Sequence, residues 1–140
     1  MIQRKQTLWL LVAGLSAFLT FIFPFYNGSK LVREHTQPDR SFLGDGTFPV
    51  FVFTLFTFML ILVAIFLYKN RKLQFRVGIA ALALSVLVIY FYFTGIKTHF
   101  VKGNILLTSV FAFAVPVLIF MALRGIRHDE KLVKSLDKLR

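Results

Sequence analysis

The stretch Phe48–Tyr68 reads FPVFVFTLFTFMLILVAIFLY, 21 residues without a single charge. As a helix rising 1.5 Å per residue it reaches roughly 31 Å, the thickness of a bilayer's hydrocarbon core. A helix on the surface of a soluble domain needs a wet face, and this segment has none to offer. Three further stretches of the same kind flank it: Leu8–Tyr26, Val77–Thr94 and Ile105–Leu123, with 19, 18 and 19 residues and no Asp, Glu, Lys, Arg or His. The whole chain of 140 residues is 57% hydrophobic and only 16% charged, and its charges fall between the apolar runs. The reading is an all-α membrane protein, a single membrane domain over residues 1–140 crossing the bilayer four times at about 8–26, 48–68, 77–94 and 105–123. The first stretch follows Arg4 and Lys5 as a signal peptide would. It is longer than a typical apolar signal region and ends in Phe23-Pro24-Phe25-Tyr26 with no small-residue cleavage site, so it is expected to stay as a helix.

Orientation follows from where the 17 Lys and Arg residues lie. Arg4 and Lys5, the connection with Lys69, Arg71, Lys72 and Arg76, and the tail with Arg124, Arg127, Lys131, Lys134, Lys138 and Arg140 place twelve on one side. Lys30, Arg33, Arg40, Lys97 and Lys102 place five on the other. Basic residues in short connections stay cytoplasmic, so both ends are expected there. The connections at Asn27–Thr47, Lys69–Arg76 and Gly95–Asn104 are too short to fold alone and are read as loops.

Lipid tails are as apolar as Leu, so the helices must associate through small residues and close packing. Helical spacing gives one such stripe per span: Ala13 and Ala17 beside Ser16 and Thr20; Thr54, Thr57, Ile61 and Ala64; Gly78, Ala81 and Ser85; Ser109 and Ala112 leading to Pro116. Pro116 removes a backbone hydrogen bond and should bend the fourth span as a static kink, a gate being the functional alternative. Trp9, Tyr26, Tyr68, Tyr90 and Tyr92 lie near span ends and read as interface anchors.

The search for chemistry is short. Ion pathways, proton relays and substrate sites in membranes need ionisable groups inside the spans, and these spans carry none. Cysteine is absent, which removes thiolate nucleophiles and Cys-held metals. His35 and His99 share the outer side without metal-ligand spacing and read as solvated loop residues. No catalytic residue, metal or cofactor is expected, and no small-molecule substrate is identified.

The tail is patterned. Read as a helix, residues 124–140 gather Ile126, Leu132, Val133, Leu136 and Leu139 within about 140° of arc, with Arg124, Arg127, Lys131, Lys134 and Lys138 opposite. Asp129 is the exception, an acid inside the apolar arc. This is a C-terminal cytoplasmic amphipathic basic helix, suited to a lipid interface or a partner. Gly125 is expected to be the hinge that turns it away from the fourth span.

The candidate contact residues are therefore Lys69, Arg71, Lys72, Arg76, Arg124, Arg127, Lys131, Leu132, Lys134, Leu136, Lys138 and Leu139. Their expected partners are other integral membrane subunits, anionic lipid at the cytoplasmic face and, as a third option, sequence-independent contact with RNA such as a ribosome's.

Three segments carry a resemblance. MIQRKQT at Met1–Thr7, KNRKLQ at Lys69–Gln74 and RGIRHDEKLVKSLDKLR at Arg124–Arg140 resemble domain-of-unknown-function family 4293, an uncharacterised four-helix membrane family of Bacteroidota. His128 stands where a basic residue would be expected and Leu136 where a smaller one would. The resemblance implies a bacterial inner membrane in a cell that has an outer one. It implies no reaction, ligand or catalytic residue, and it puts the emphasis on the cytoplasmic ends. The function expected is that of a non-catalytic accessory or scaffold subunit of a larger inner-membrane complex, with a protein-export or membrane-insertion machine as a host. The alternative is a small oligomeric transporter or channel for an uncharged solute.

Overall fold

A computed structural model describes residues 3–32, 35–42 and 48–137, with side chains except those of residues 3–5, 29–32, 35–42, 99–102, 134, 136 and 137. Four helices form the body: α1 (Gln3–Ile22), α2 (Phe48–Phe66), α3 (Arg71–His99) and α4 (Val110–Asp137). Three are long and apolar enough to cross a membrane; the apolar part of α1, Gln6–Ile22, is shorter. α1 packs most extensively on α4 and α2 on α3, while the α1–α2 and α3–α4 seams close the ring.

The stripes of small residues turn inward. Ala13, Ala17, Thr54, Thr57, Ile61, Ala64, Ala81, Ser85 and Ala112 are all buried, as the close-packing argument requires. The large apolar side chains face out. On α1, Leu8, Leu11, Leu15, Phe18 and Ile22 are exposed at spacings of three and four, forming one continuous apolar stripe. At Gly78 the backbone of α3 meets Leu123 so closely that an added Cβ would lie 2.6 Å from its Cδ2.

Four expectations are corrected. The fold is not all helix, because the connections on one side of the bundle are strands: β1 (Tyr26–Val32), β2 (His35–Phe42) and β3 (Phe100–Ile105) form an antiparallel sheet ordered β2-β1-β3. Tyr26 pairs with Phe42 on one side and with Ile105 on the other. Gly103 permits this pairing, since a Cβ there would sit 2.3 Å from the Asn27 carbonyl oxygen. Pro38 lies where the β1–β2 register shifts, on an outer strand, where a missing N–H is tolerated.

The second connection is not a loop either. A single 3-10 turn (Leu67–Lys69) and Asn70 join α2 directly to α3, so Arg71, Lys72 and Arg76 are helical. Gly125 is no hinge, because α4 runs through it unbroken from Val110 to Asp137, also carrying Pro116 inside the helix.

Tyr92 and Tyr26, finally, are buried instead of anchoring at an interface. Tyr92 is fully enclosed and stacks on Phe25 at 4.2 Å between ring centroids. Phe53 stacks on Phe91 at 5.0 Å beside it, and Phe25 also meets Phe93 and Phe113, so aromatic rings fill the bundle beneath the sheet.

Candidate functional site

The end of the bundle opposite the sheet gathers the start of α1, the α2–α3 junction and the last turns of α4. Its centre is polar and closed. Gln6 of α1 and Asp129 of α4 are both buried, and the Gln6 Nε2 donates to the Asp129 carboxylate. Arg71 reaches over from α3, its Nη1 donating to the Asp129 backbone oxygen at 3.4 Å. Gln74, also buried, donates to the Ala64 carbonyl oxygen at 3.0 Å. Ala64 lies in the last turn of α2, where carbonyls lose their intrahelical partners, so Gln74 acts as a side-chain cap supplied by the neighbouring helix. Gly125 sits at the α1–α4 contact: a Cβ there would lie 3.0 Å from Gln6 Cγ. The residue read as a hinge is instead a point of close approach.

Two grooves flank this centre. One, of about 750 Å³, lies along the α3–α4 seam; Arg124, Arg127, His128 and Lys131 rim it above an apolar floor. Arg127 is held across it, with its guanidinium carbon 4.6 Å from the centroid of the Phe75 ring. The other, of about 450 Å³, lies at the α2–α3 junction and is lined by Lys69, Asn70, Arg71, Lys72, Glu130 and Val133. The second mixes Glu130 with basic side chains; the charged residues lining the first are all basic.

The structure thus divides the candidate residues. Arg124, Arg127 and Lys131 line one groove, and Lys69, Arg71 and Lys72 line the other. Arg76 and Leu132 are exposed. Lys134 and Leu136 are part of α4, with side chains outside the described ones, and Lys138 and Leu139 lie outside the described residues. Ile126 does not share an open apolar face with Leu132 and Val133: it is buried in the core, while they are exposed. The sequence reading missed Gln6, Gln74 and the inward role of Asp129. Gln6 precedes Leu10, Ala13 and Ala17 at spacings of four, three and four; Gln74 precedes Gly78, Ala81 and Ser85 in the same way. Each therefore stood on a recognised packing stripe, and Asp129 stood in the apolar arc.

At mid-bundle, Thr20, Thr57 and Ser85 return their hydroxyl hydrogens to the carbonyls of Ala17, Phe53 and Leu82, each at 2.7 Å. Among the described residues the Thr54 hydroxyl has no hydrogen-bond partner, and the space these residues line is about 20 Å³, the size of one water. Among the described residues no three His, Asp or Glu side chains converge as metal ligands. The side chains of His35 and His99 lie outside the described ones.

A family model described as Domain of unknown function (DUF4293) matches residues 2–139. The chain belongs to this family. The match takes in all four helices and, except for Met1 and Arg140, the three segments that carried the resemblance. Neither the curated proteins nor the solved structures contain a match to the chain.

Proposed function

We propose that this chain is a four-span protein of a bacterial inner membrane, with both ends cytoplasmic, acting as a non-catalytic accessory or scaffold subunit of a larger membrane complex. The observation that carries the reading is α4. At 28 residues it is about 42 Å long, some 12 Å more than a hydrocarbon core. Its surplus lies at the basic end and exposes Leu132 and Val133 beside Lys131. A rigid helix end that is both apolar and basic suits a protein surface at the membrane face. The twelve basic residues on that side support the cytoplasmic orientation.

The outward apolar stripe of α1 supports counting it as the fourth span, its apolar part Gln6–Ile22 reaching about 26 Å, the lower end of what crosses a core. A protein-export or membrane-insertion machine remains the proposed host, its cytoplasmic face being one where a basic partner is useful. The transporter alternative draws no support from the bundle interior: a space of about 20 Å³ admits nothing larger than water, so a path would have to form between copies.

Crosslinking mass spectrometry on native membranes tests the reading. Stoichiometric crosslinks from Lys131, Lys69 or Lys72 to another integral membrane protein are expected. Leu132→Ser/Val133→Ser should weaken that association at least about fivefold while the helices remain inserted. A chain that leaves the membrane in mild detergent alone and at monomer mass would sink it.

A further inference from the structure

The groove on the α3–α4 seam has an order that packing alone does not require. On α3, Phe75, Ile79 and Leu82 follow one another at spacings of four and three, so one face of the helix floors it. On α4 the facing stripe begins apolar at Phe120 and Met121 and turns cationic from Arg124 onward. The change occurs within a single turn of one helix. From Phe120 to Lys131 the groove runs about 16 Å, close to one leaflet's depth, with its cations all at the bundle's basic end. Ile79, Phe120 and Met121 are exposed in it.

Asp129 turns toward Gln6 on α1, and Glu130 lines the other groove, so among the described residues no carboxylate lines this one. The contact with Phe75 holds the Arg127 guanidinium at the mouth, between the two helices. An apolar slot opening on three cations, one of them held by Phe75, complements a molecule with an acyl chain below and a phosphate above.

We propose that this groove is a binding site for one anionic phospholipid of the cytoplasmic leaflet. An acyl chain lies along Phe75, Ile79 and Met121, and the headgroup phosphate lies among Arg124, Arg127 and Lys131. The second groove mixes Glu130 with its lysines and has no comparable apolar floor, so it is the internal control. The site rests on the membrane reading of the bundle and not on the subunit reading.

The test uses the full chain in an uncharged detergent, with native mass spectrometry after adding phosphatidylglycerol or phosphatidylethanolamine of matched acyl chains. One phosphatidylglycerol per chain should be retained with at least about tenfold preference. Arg124→Gln/Arg127→Gln/Lys131→Gln should bring the preference within about twofold, while Lys69→Gln/Lys72→Gln in the second groove, combined with Arg76→Gln, which lines neither groove and equalises the charge removed, should leave it intact. Ile79→Trp keeps every charge and narrows the slot; it should reduce retention of phosphatidylglycerol several-fold, and it decides the matter if the triple variant fails to fold. Equal retention of the two lipids by the unmodified chain would overturn the proposal. So would equal losses in both triple variants, or displacement of the lipid by millimolar glycerol phosphate, which would indicate a plain phosphate site. A chain that selects the lipid yet purifies alone breaks only the subunit reading.

Discussion

The sheet end and the basic end of this bundle are closed by different interactions. At the sheet end, backbone hydrogen bonds join β1 to both β2 and β3, and beneath them Phe25, Tyr92, Phe53 and Phe91 stack in pairs. At the basic end no sheet is present among the described residues; Gln6, Asp129, Arg71 and Gln74 hold the helices by individual polar contacts. Ring stacking buries much area and depends weakly on any one hydrogen atom, whereas a buried amide–carboxylate pair depends wholly on its partner. The first kind of closure is suited to permanence. The second is lost when a single partner is removed.

That contrast can be broken most forcefully at Tyr92. Replacing it with Ala removes the fully buried ring on which Phe25 stacks and should cost about 3–5 kcal/mol, read as a loss of helical signal at lower denaturant in detergent micelles. A cost below about 1 kcal/mol would mean that the sheet holds this end without the rings. Asp129→Ala comes next, at about 1.5–3 kcal/mol, because it strands the Gln6 amide in a buried place. The double-mutant cycle with Gln6→Ala should show coupling of at least about 0.5 kcal/mol. The smallest effect is expected at Gly125→Ala. The gain in helix propensity, about 1 kcal/mol, opposes the crowding of Gln6, and the net change in the same unfolding assay should be near zero. A clear gain of stability there would show that Gln6 yields freely and that the α1–α4 contact is looser than described.

How much of this was legible beforehand differs between the two ends for a physical reason. The helices and their inward faces were readable because small residues at helical spacing are a local pattern, and Ala13, Thr57 and Ala81 all turned inward as that pattern requires. The strands were not read. Asn27-Gly28-Ser29-Lys30 and Phe100-Val101-Lys102-Gly103 lack a clean apolar alternation, and their pairing joins residues 70 to 79 positions apart, from Lys30–Phe100 to Tyr26–Ile105. Tyr92 was misread since an aromatic near a span end has the same sequence appearance whether it faces headgroups or a sheet.

At the basic end, Lys69, Arg71 and Lys72 lie at the same end of the bundle as Arg124, Arg127 and Lys131, as their grouping in the sequence implied, but their division into two grooves depends on which helix faces which, and that is not a local property. Gln6 and Gln74 continue those stripes but were passed over because they precede the uncharged runs Leu8–Tyr26 and Val77–Thr94, whose bounds were set by hydropathy and not by helix length.

The Gln6–Asp129 bond also fixes an order of assembly. Its two residues are 123 positions apart, and α1 finds its most extensive neighbour in α4, the last of the four helices to be made. At about 5–20 residues per second, ribosomal synthesis leaves α1 waiting roughly 6–25 s for that surface. The β1–β2 hairpin can form in the interval, whereas β1 must wait for β3 and Phe25 for Tyr92. The nascent chain therefore passes through a stage in which three helices are present, the ring is open, and the inner face of α1, including the Gln6 amide, is available to whatever lies beside it.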